Sequence, residues 1–95
     1  MIRHLEHVGV MVKNMDRSIR FYEKVLGLKL IARDTAENGV EFAYLGFPDS
    51  HAVLIELISN WRDDLPARGN VDHIAFAVTG IEEELARLKS SGVEV

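Results

Sequence analysis

Two stretches of the chain alternate between bulky apolar residues and smaller or polar ones, and each contains a histidine. Because successive side chains of a strand point to opposite faces, the alternation predicts strands at residues 5–12 and 71–78. One face of each strand is bulky and apolar. The other carries His7 in the first strand and His73 in the second, each beside glycine or alanine. We interpret this second face as the wall of a cavity, since a face built only for packing seldom places such small residues beside an imidazole.

Each of these strands precedes a segment with helical periodicity. Apolar residues three or four positions apart, flanked by charges, predict an amphipathic helix. In the first helix, which ends at Gly27, these residues are Met15, Ile19, Tyr22 and Leu26. In the second helix, which ends at Gly92, they are Ile81, Leu85 and Leu88. Glycine suits the left-handed position that ends a helix, so a strand–helix unit occurs twice in the chain.

Between the two units lie three further apolar stretches, at residues 28–33, 40–47 and 52–58. Short polar turns separate them, which predicts consecutive antiparallel strands. The first unit is therefore a βαβββ module at about residues 1–60, and a linker follows at about 60–70. The second module starts at about residue 71 and stops after its βα portion. We expect one α+β domain over residues 1–95, whose missing strands come from a longer chain or from a partner.

The alternation and the helical stripes together predict the core. We expect the bulky strand faces to meet the helices through Val8, Val10, Val12, Val53, Ile55, Leu57, Ile74, Phe76 and Val78. The apolar stripes named above for the two helices should cover them.

Composition narrows the function classes. The chain has 95 residues, which is typical of one domain, and a formal net charge of −4. It lacks a basic stripe, so we expect no nucleic-acid partner. It has no cysteine, which excludes disulfides and thiolate metal sites within it. No apolar run reaches membrane-spanning length, and we expect a cytoplasmic protein with no membrane partner.

Glu56 is the one charged residue in an otherwise apolar strand. A carboxylate is costly to bury unless it is paired or bound to a cation. It could instead point into solvent from an edge strand, and a single strand histidine is more often a structural residue than a ligand. Two equivalently placed histidines, His7 and His73, together with Glu56 favour a metal site. Imidazole and carboxylate ligands without cysteine suit Zn, Ni, Co, Fe or Mn.

Residues 7–28 and 71–78 resemble the two module starts of the vicinal oxygen chelate superfamily. Its members include glyoxalase I, bleomycin- and fosfomycin-resistance proteins, methylmalonyl-CoA epimerase and extradiol dioxygenases. The resemblance implies paired βαβββ modules that form a cupped sheet around a divalent metal, often in homodimers. It places His7, Glu56 and His73 at three of the four ligand positions. The fourth position would lie beyond Val95.

Within the superfamily, residues 55–61 resemble the glyoxalase I segment in which the ligand glutamate precedes an Asn-Trp pair. This implies a lactoylglutathione lyase-like lyase or isomerase that acts on a small substrate with vicinal oxygens through a metal-stabilised enediolate. Glu56 would then be catalytic, Asn60 would contact the substrate, and Trp61 would line the pocket mouth or cover the sheet edge. Met11 stands where glyoxalase I has a glutathione-binding arginine, which argues for another substrate. The alternatives are a ligand-binding resistance-type module and an epimerase or dioxygenase.

Overall fold

A four-stranded sheet organises the computed structural model, which describes residues 1–61, 76 and 78–94. The elements are β1 (Val8–Met11), α1 (Met15–Arg20), β2 (Lys29–Thr35), β3 (Glu41–Gly46), β4 (Ile55–Ser59) and α2 (Ile81–Ser90). A π-helical turn, Phe21–Val25, extends α1. The predicted α+β class and the βαβββ order of the first module are confirmed.

The strand order in the sheet is β1-β4-β3-β2. β1 and β4 are parallel, whereas β3 pairs antiparallel with both β4 and β2. The chain leaves β1, crosses the sheet through α1, and returns through three strands joined by turns. The last strand of the module therefore closes against the first, and β4 is an internal strand.

Local sequence signals set the ends of α1. Asn14 is the N-cap, and its side-chain oxygen accepts a hydrogen bond from the Arg17 amide at 3.0 Å. Gly27 has a φ of +74° and ends the helical segment, as its position predicts. The helix packs on the sheet through Met15 and Ile19, which are buried. Between them and the helix end lies Tyr22, whose pKa is raised by burial.

The core lies between α1 and one face of the sheet. Its buried apolar residues are Val10, Met15, Ile19, Leu28, Ala43, Leu45, Ile55 and Leu57. Partly buried residues pack against them, namely Val8, Val12, Tyr22, Leu26, Leu30, Leu54 and Phe76. The expected helix-facing positions Val8, Val10, Val12, Ile55 and Leu57 are thus confirmed. Val53 precedes β4 and is half-buried, and the neighbouring Leu54 packs on the core in its place. Ile74 lies outside the described residues.

The prediction that the apolar residues of α2 are buried against the sheet is wrong. Ile81 and Leu85 are 58% and 40% exposed, and the preceding Val78 is 46% exposed. No residue of α2 is buried. An apolar stripe predicts an amphipathic helix, but it is buried only where another surface lies against it, which the spacing does not specify. Neither helix in the described part of the chain is long and apolar enough to cross a membrane.

We predict that Gly46→Ala is poorly tolerated. A Cβ at Gly46 would overlap the backbone carbonyl oxygen of Ala52 and would lie 3.0 Å from Cδ1 of Ile31. A Cβ at Gly9 would meet only Cδ1 of Ile58, at an ordinary 3.6 Å. Chemical denaturation should show a loss of about 1–3 kcal/mol in unfolding free energy for Gly46→Ala. Gly9→Ala should change it by less than about 1 kcal/mol, and equal effects would contradict the close approach at Gly46.

A second prediction compares the two faces of β4. Ile55 is 1% exposed in the core, whereas Ile58, in the same strand, is half-buried on the opposite face. Ile55→Ala should lower the unfolding free energy by about 2–5 kcal/mol because it leaves a cavity. Ile58→Ala should cost clearly less in the same denaturation measurement. A larger loss for Ile58→Ala would reverse the assignment of faces.

Candidate functional site

The face of the sheet opposite α1, called the open face below, holds the residues that alternate with the core positions. Strand pairing aligns them in two rows across the sheet. The first row is Gly9, Glu56, Tyr44 and Ala32, and the second is Met11, Ile58, Phe42 and Asp34. One row therefore centres on a carboxylate and a phenol, and the other is largely apolar.

Glu56 projects from the middle of this face. Its strand neighbours Ile55 and Leu57 are buried on the core side, which forces the intervening side chain outward. Only 18% of the Glu56 side chain is exposed. Because β4 lies between β1 and β3, the interpretation of Glu56 as a solvated edge-strand residue is wrong.

His7 lies beside Glu56. It directly precedes β1, and Nε2 of its imidazole is 3.1 Å from Oε2 of Glu56. The His7 side chain is 39% exposed. The parallel pairing of Gly9 with Glu56 produces this contact, because it sets the start of β1 against the middle of β4. Two of the predicted site residues are therefore brought together.

Tyr44 is a residue of this face that the sequence analysis missed. It is the antiparallel partner of Glu56 in β3, and directly opposed Cβ atoms in such pairs lie about 4.5–5.5 Å apart. Gly9 flanks Glu56 on the other side and carries no side chain. The carboxylate thus has a phenol-bearing strand on one side and, on the other, the strand that carries the side-chain-free Gly9 and follows His7. Strand alternation groups residues within β3, but the register with β4 is needed to find this pair.

Met11 is half-buried on the open face, where it pairs with Ile58. Phe42 follows in the same row. This row adjoins the carboxylate row, so one half of the face can hold apolar atoms while the other holds polar ones. Met11 is thereby on the face that carries Glu56, as its expected substrate role requires.

Asn60 and Trp61 follow directly after β4. Asn60 has a φ of +63°, and its Nδ2 donates a hydrogen bond to the Gly39 carbonyl oxygen at 3.2 Å. Trp61 is 57% exposed. Four residues of strand span about 13 Å, which separates Asn60 from Glu56. Asn60 and Trp61 therefore lie beyond the end of β4, away from the histidine–glutamate pair.

The donors at this pair fit a divalent cation chemically, because imidazole nitrogen and carboxylate oxygen are ligands of Zn and of the other metals considered. His73, the third predicted ligand, lies outside the described residues. Within the described ranges, no group of three or more His, Asp or Glu side chains is close enough to hold a metal ion. A second pair, His4 and Glu6, is far more open: its atoms are 3.5 Å apart, and its side chains are 70% and 75% exposed.

Proteins with similar sequences include one without an assigned function and several named enzymes. The chain is 46% identical over 88 residues to the uncharacterized protein YwbC of Bacillus subtilis, covering 92% of this chain and 70% of YwbC. It is 35% identical over 94 residues to the lactoylglutathione lyase of Neisseria meningitidis, covering 96% of this chain and 68% of that enzyme.

Solved structures share the fold. The fosfomycin resistance protein FosX of Listeria monocytogenes, crystallised with Mn(II) and sulfate, matches 99% of this chain and 75% of its own with a TM-score of 0.72. At 19% identity, that likeness shows the fold alone. The trypanothione-dependent glyoxalase I of Leishmania major matches 96% of this chain and 68% of its own, with a TM-score of 0.73 and 27% identity.

A family model also matches the chain. The model of the glyoxalase/bleomycin resistance protein/dioxygenase superfamily covers residues 4–95, which includes β1, both helices and the segment that contains His73. Together with the sheet order and the named relatives, this match means that the chain belongs to the glyoxalase/bleomycin resistance protein/dioxygenase superfamily.

Proposed function

We propose that the protein is a metal-dependent glyoxalase I-like carbon–sulfur lyase. The observation that carries the proposal is the largely buried Glu56 carboxylate, 3.1 Å from the His7 imidazole on the open face of the sheet. The identity to lactoylglutathione lyases supports the same class. The substrate would be a small molecule with oxygens on adjacent carbons.

His7, Glu56 and His73 would hold the divalent cation, which could be Zn, Ni, Co, Mn or Fe. When bound, such a cation supplies Lewis-acid stabilisation of negative charge on the substrate oxygens. The strands already hold His7 and Glu56 close together. Metal binding would therefore cost these two side chains little conformational entropy.

Glu56 would also take part in proton transfer. An isomerisation between adjacent carbons needs one group that removes a proton from the first carbon and returns it to the second. A carboxylate that is 18% exposed beside the side-chain-free Gly9 could reach a substrate lying on the sheet. The apolar row of Met11, Ile58 and Phe42 would exclude water from the neighbouring part of the substrate.

Asn60, Trp61 and Met11 would contact the part of the substrate remote from the reacting carbons. Met11 has no charge with which to bind a carboxylate, so we propose a thiol cosubstrate other than glutathione. The Leishmania relative is itself described as trypanothione-dependent, which supports variation of the thiol among similar enzymes.

The wider organisation is part of the proposal. We propose a first module at residues 1–60, a linker at about 60–70 and the start of a second module at residues 71–95, in a cytoplasmic homodimer. The family resemblance supports pairing of modules within or between chains. Light scattering of the natural full-length protein would test the dimer.

A resistance-type module that binds a ligand without chemistry is the second candidate. The apolar row of the open face favours it, because apolar surface with a few polar groups is typical of ligand pockets. Tight binding of a ligand without turnover, and without a metal requirement, would establish it. For an epimerase or dioxygenase on the same scaffold, iron content and oxygen uptake are the discriminating measurements.

We predict that Glu56→Gln weakens metal binding and turnover together in the natural full-length protein. The amide keeps the shape of the side chain but loses the negative charge, which weakens its interaction with a divalent cation. Calorimetric titration with Mn, Ni or Zn should show a loss of about tenfold or more in affinity. Turnover of the hemithioacetal formed from a 2-oxoaldehyde and a thiol should fall with it.

Glu6→Gln is the matched control, because it removes the carboxylate of the exposed His4–Glu6 pair. It should leave both metal affinity and turnover within about twofold of the parent protein. Equal losses for the two variants would remove Glu56 from the site. Full turnover by Glu56→Gln with unchanged metal content would exclude the proposed mechanism.

We also predict that Met11→Arg shifts cosubstrate preference toward glutathione. Arginine would add a guanidinium group that can bind a glutathione carboxylate by paired hydrogen bonds. Comparison of kcat/KM for glutathione and for an uncharged thiol should show a relative gain of about tenfold for glutathione. Met11→Leu, which keeps the apolar side chain, should leave the ratio unchanged. A gain with Met11→Leu as well would mean that charge is not the cause.

A further inference from the structure

The end of β4 is attached to the β2–β3 hairpin by two side-chain hydrogen bonds. The hydroxyl of Ser59 donates to Oε2 of Glu41 at 3.2 Å. One residue later, Nδ2 of Asn60 donates to the Gly39 carbonyl oxygen at 3.2 Å. Glu41 and Ser59 are also directly paired in the sheet. The chain is therefore held on both sides of the point where it leaves the strand.

The hydrogen bond of Ser59 contributes to stability because its hydroxyl is buried. Ser59 is 2% exposed and is the buried polar residue of the described core. A buried hydroxyl without a hydrogen-bond partner is destabilising, and Glu41 supplies the acceptor. The position of the Glu41 carboxylate and the position of the end of β4 are thus coupled.

Glu41 is in turn oriented from the other side. Its Oε1 faces Nη2 of Arg33 at 3.9 Å, and Nη1 of Arg33 is 2.8 Å from Oδ1 of Asp16 at the start of α1. The two oxygens of Glu41 therefore have different neighbours, a hydroxyl and a guanidinium. A chain of polar contacts runs from α1 across β2 and β3 to the last residue of β4.

Asn60 adopts a backbone conformation that few residues tolerate. Its φ of +63° lies in the left-handed region, where asparagine is less disfavoured than most non-glycine residues. This turn ends the strand and sets the direction in which Trp61 leaves it. Such a conformation persists where surrounding contacts determine it, and here the contacts are those of Ser59 and Asn60.

We propose that Glu41 is a positioning residue for the segment Asn60–Trp61. Through Ser59 it fixes the end of β4, and the Asn60–Gly39 hydrogen bond then fixes the turn that carries Trp61. The inference rests on the proposed role of Asn60 and Trp61 in substrate contact. Glu41 projects on the core side of the sheet and would act on substrate binding without touching the substrate.

Trp61 provides a direct readout of this segment, and it is the single tryptophan of the 95 residues. We would label the natural full-length protein with 5-fluorotryptophan and assign the fluorine resonance of position 61 by its loss in Trp61→Phe. Glu41→Ala should shift and broaden this resonance in the absence of substrate. It should also raise KM by about tenfold while kcat stays within about twofold.

Three further variants separate positioning from general stability. Glu41→Gln keeps an acceptor oxygen for Ser59 and should restore the parent resonance and KM. Glu37→Ala removes an exposed carboxylate from the same hairpin and should change neither. The double variant Glu41→Ala with Ser59→Ala leaves no unpaired hydroxyl. It should recover stability in denaturation but keep the altered resonance.

Two results would overturn the inference: an unchanged Trp61 resonance in Glu41→Ala, or a parent-like resonance in the double variant. Failure of the proposed function would look different. In that case the resonance would still respond to Glu41→Ala, and no variant, nor the parent protein, would turn over any hemithioacetal. The positioning of Trp61 by Glu41 would then stand without the lyase activity.

Discussion

The parallel pairing of β1 with β4 is the constraint on which the rest of the module depends. It joins the first and last strands, which are far apart in sequence, with Val8 opposite Ile55 and Gly9 opposite Glu56. Backbone hydrogen bonds from the Val8 amide to the Leu54 carbonyl and from the Val12 amide to the Ile58 carbonyl hold this register, at 3.0 and 2.8 Å. This pairing makes β4 an internal strand, so Ile55 and Leu57 are covered within the core. It also places His7 beside Glu56.

Core and candidate site therefore share one register. A strand that slips by one residue moves all of its side chains to the opposite face. Such a slip in β4 would place Glu56 in the core and expose Ile55 and Leu57, which are 1% and 0% exposed in the native register. The hydrophobic cost of exposing two large side chains is several times the worth of a typical hydrogen bond. Packing on the α1 side thus holds the carboxylate on the open face more firmly than its own contact with His7 could.

Sequence periodicity predicts what happens within an element and says little about what lies beside it. The alternation in β4 correctly separates Ile55 and Leu57 from Glu56, and the spacing in α1 correctly selects Met15 and Ile19. Whether β4 is an edge or an internal strand depends on pairing, which alternation does not contain. Tyr44 was missed for the same reason, because only the pairing of β3 with β4 places it opposite Glu56. The spacing in α2 likewise predicts the helix correctly, but it does not show which surface covers the helix. Ile81 and Leu85 were therefore expected to be buried and are exposed. The repeated histidines and the isolated glutamate suggested a shared site for His7 and Glu56, and the resemblance to a known family placed both at ligand positions.

The two faces of β4 carry residues with different roles. Ile55, Leu57 and Ser59 lie on the core side, where Ser59 meets the polar contacts that reach α1 through Glu41 and Arg33. Glu56 and Ile58 lie on the open face with the residues proposed for chemistry. Beyond the strand, Asn60 leaves this alternation through its left-handed conformation. The core side can therefore govern where Asn60 and Trp61 lie, while the open face governs what Glu56 touches. In the proposed enzyme, a change at Glu41 or Ser59 would therefore alter the position of Asn60 and Trp61 without altering the proton transfer proposed for Glu56, because Ser59 and Glu56 lie on opposite faces of one strand.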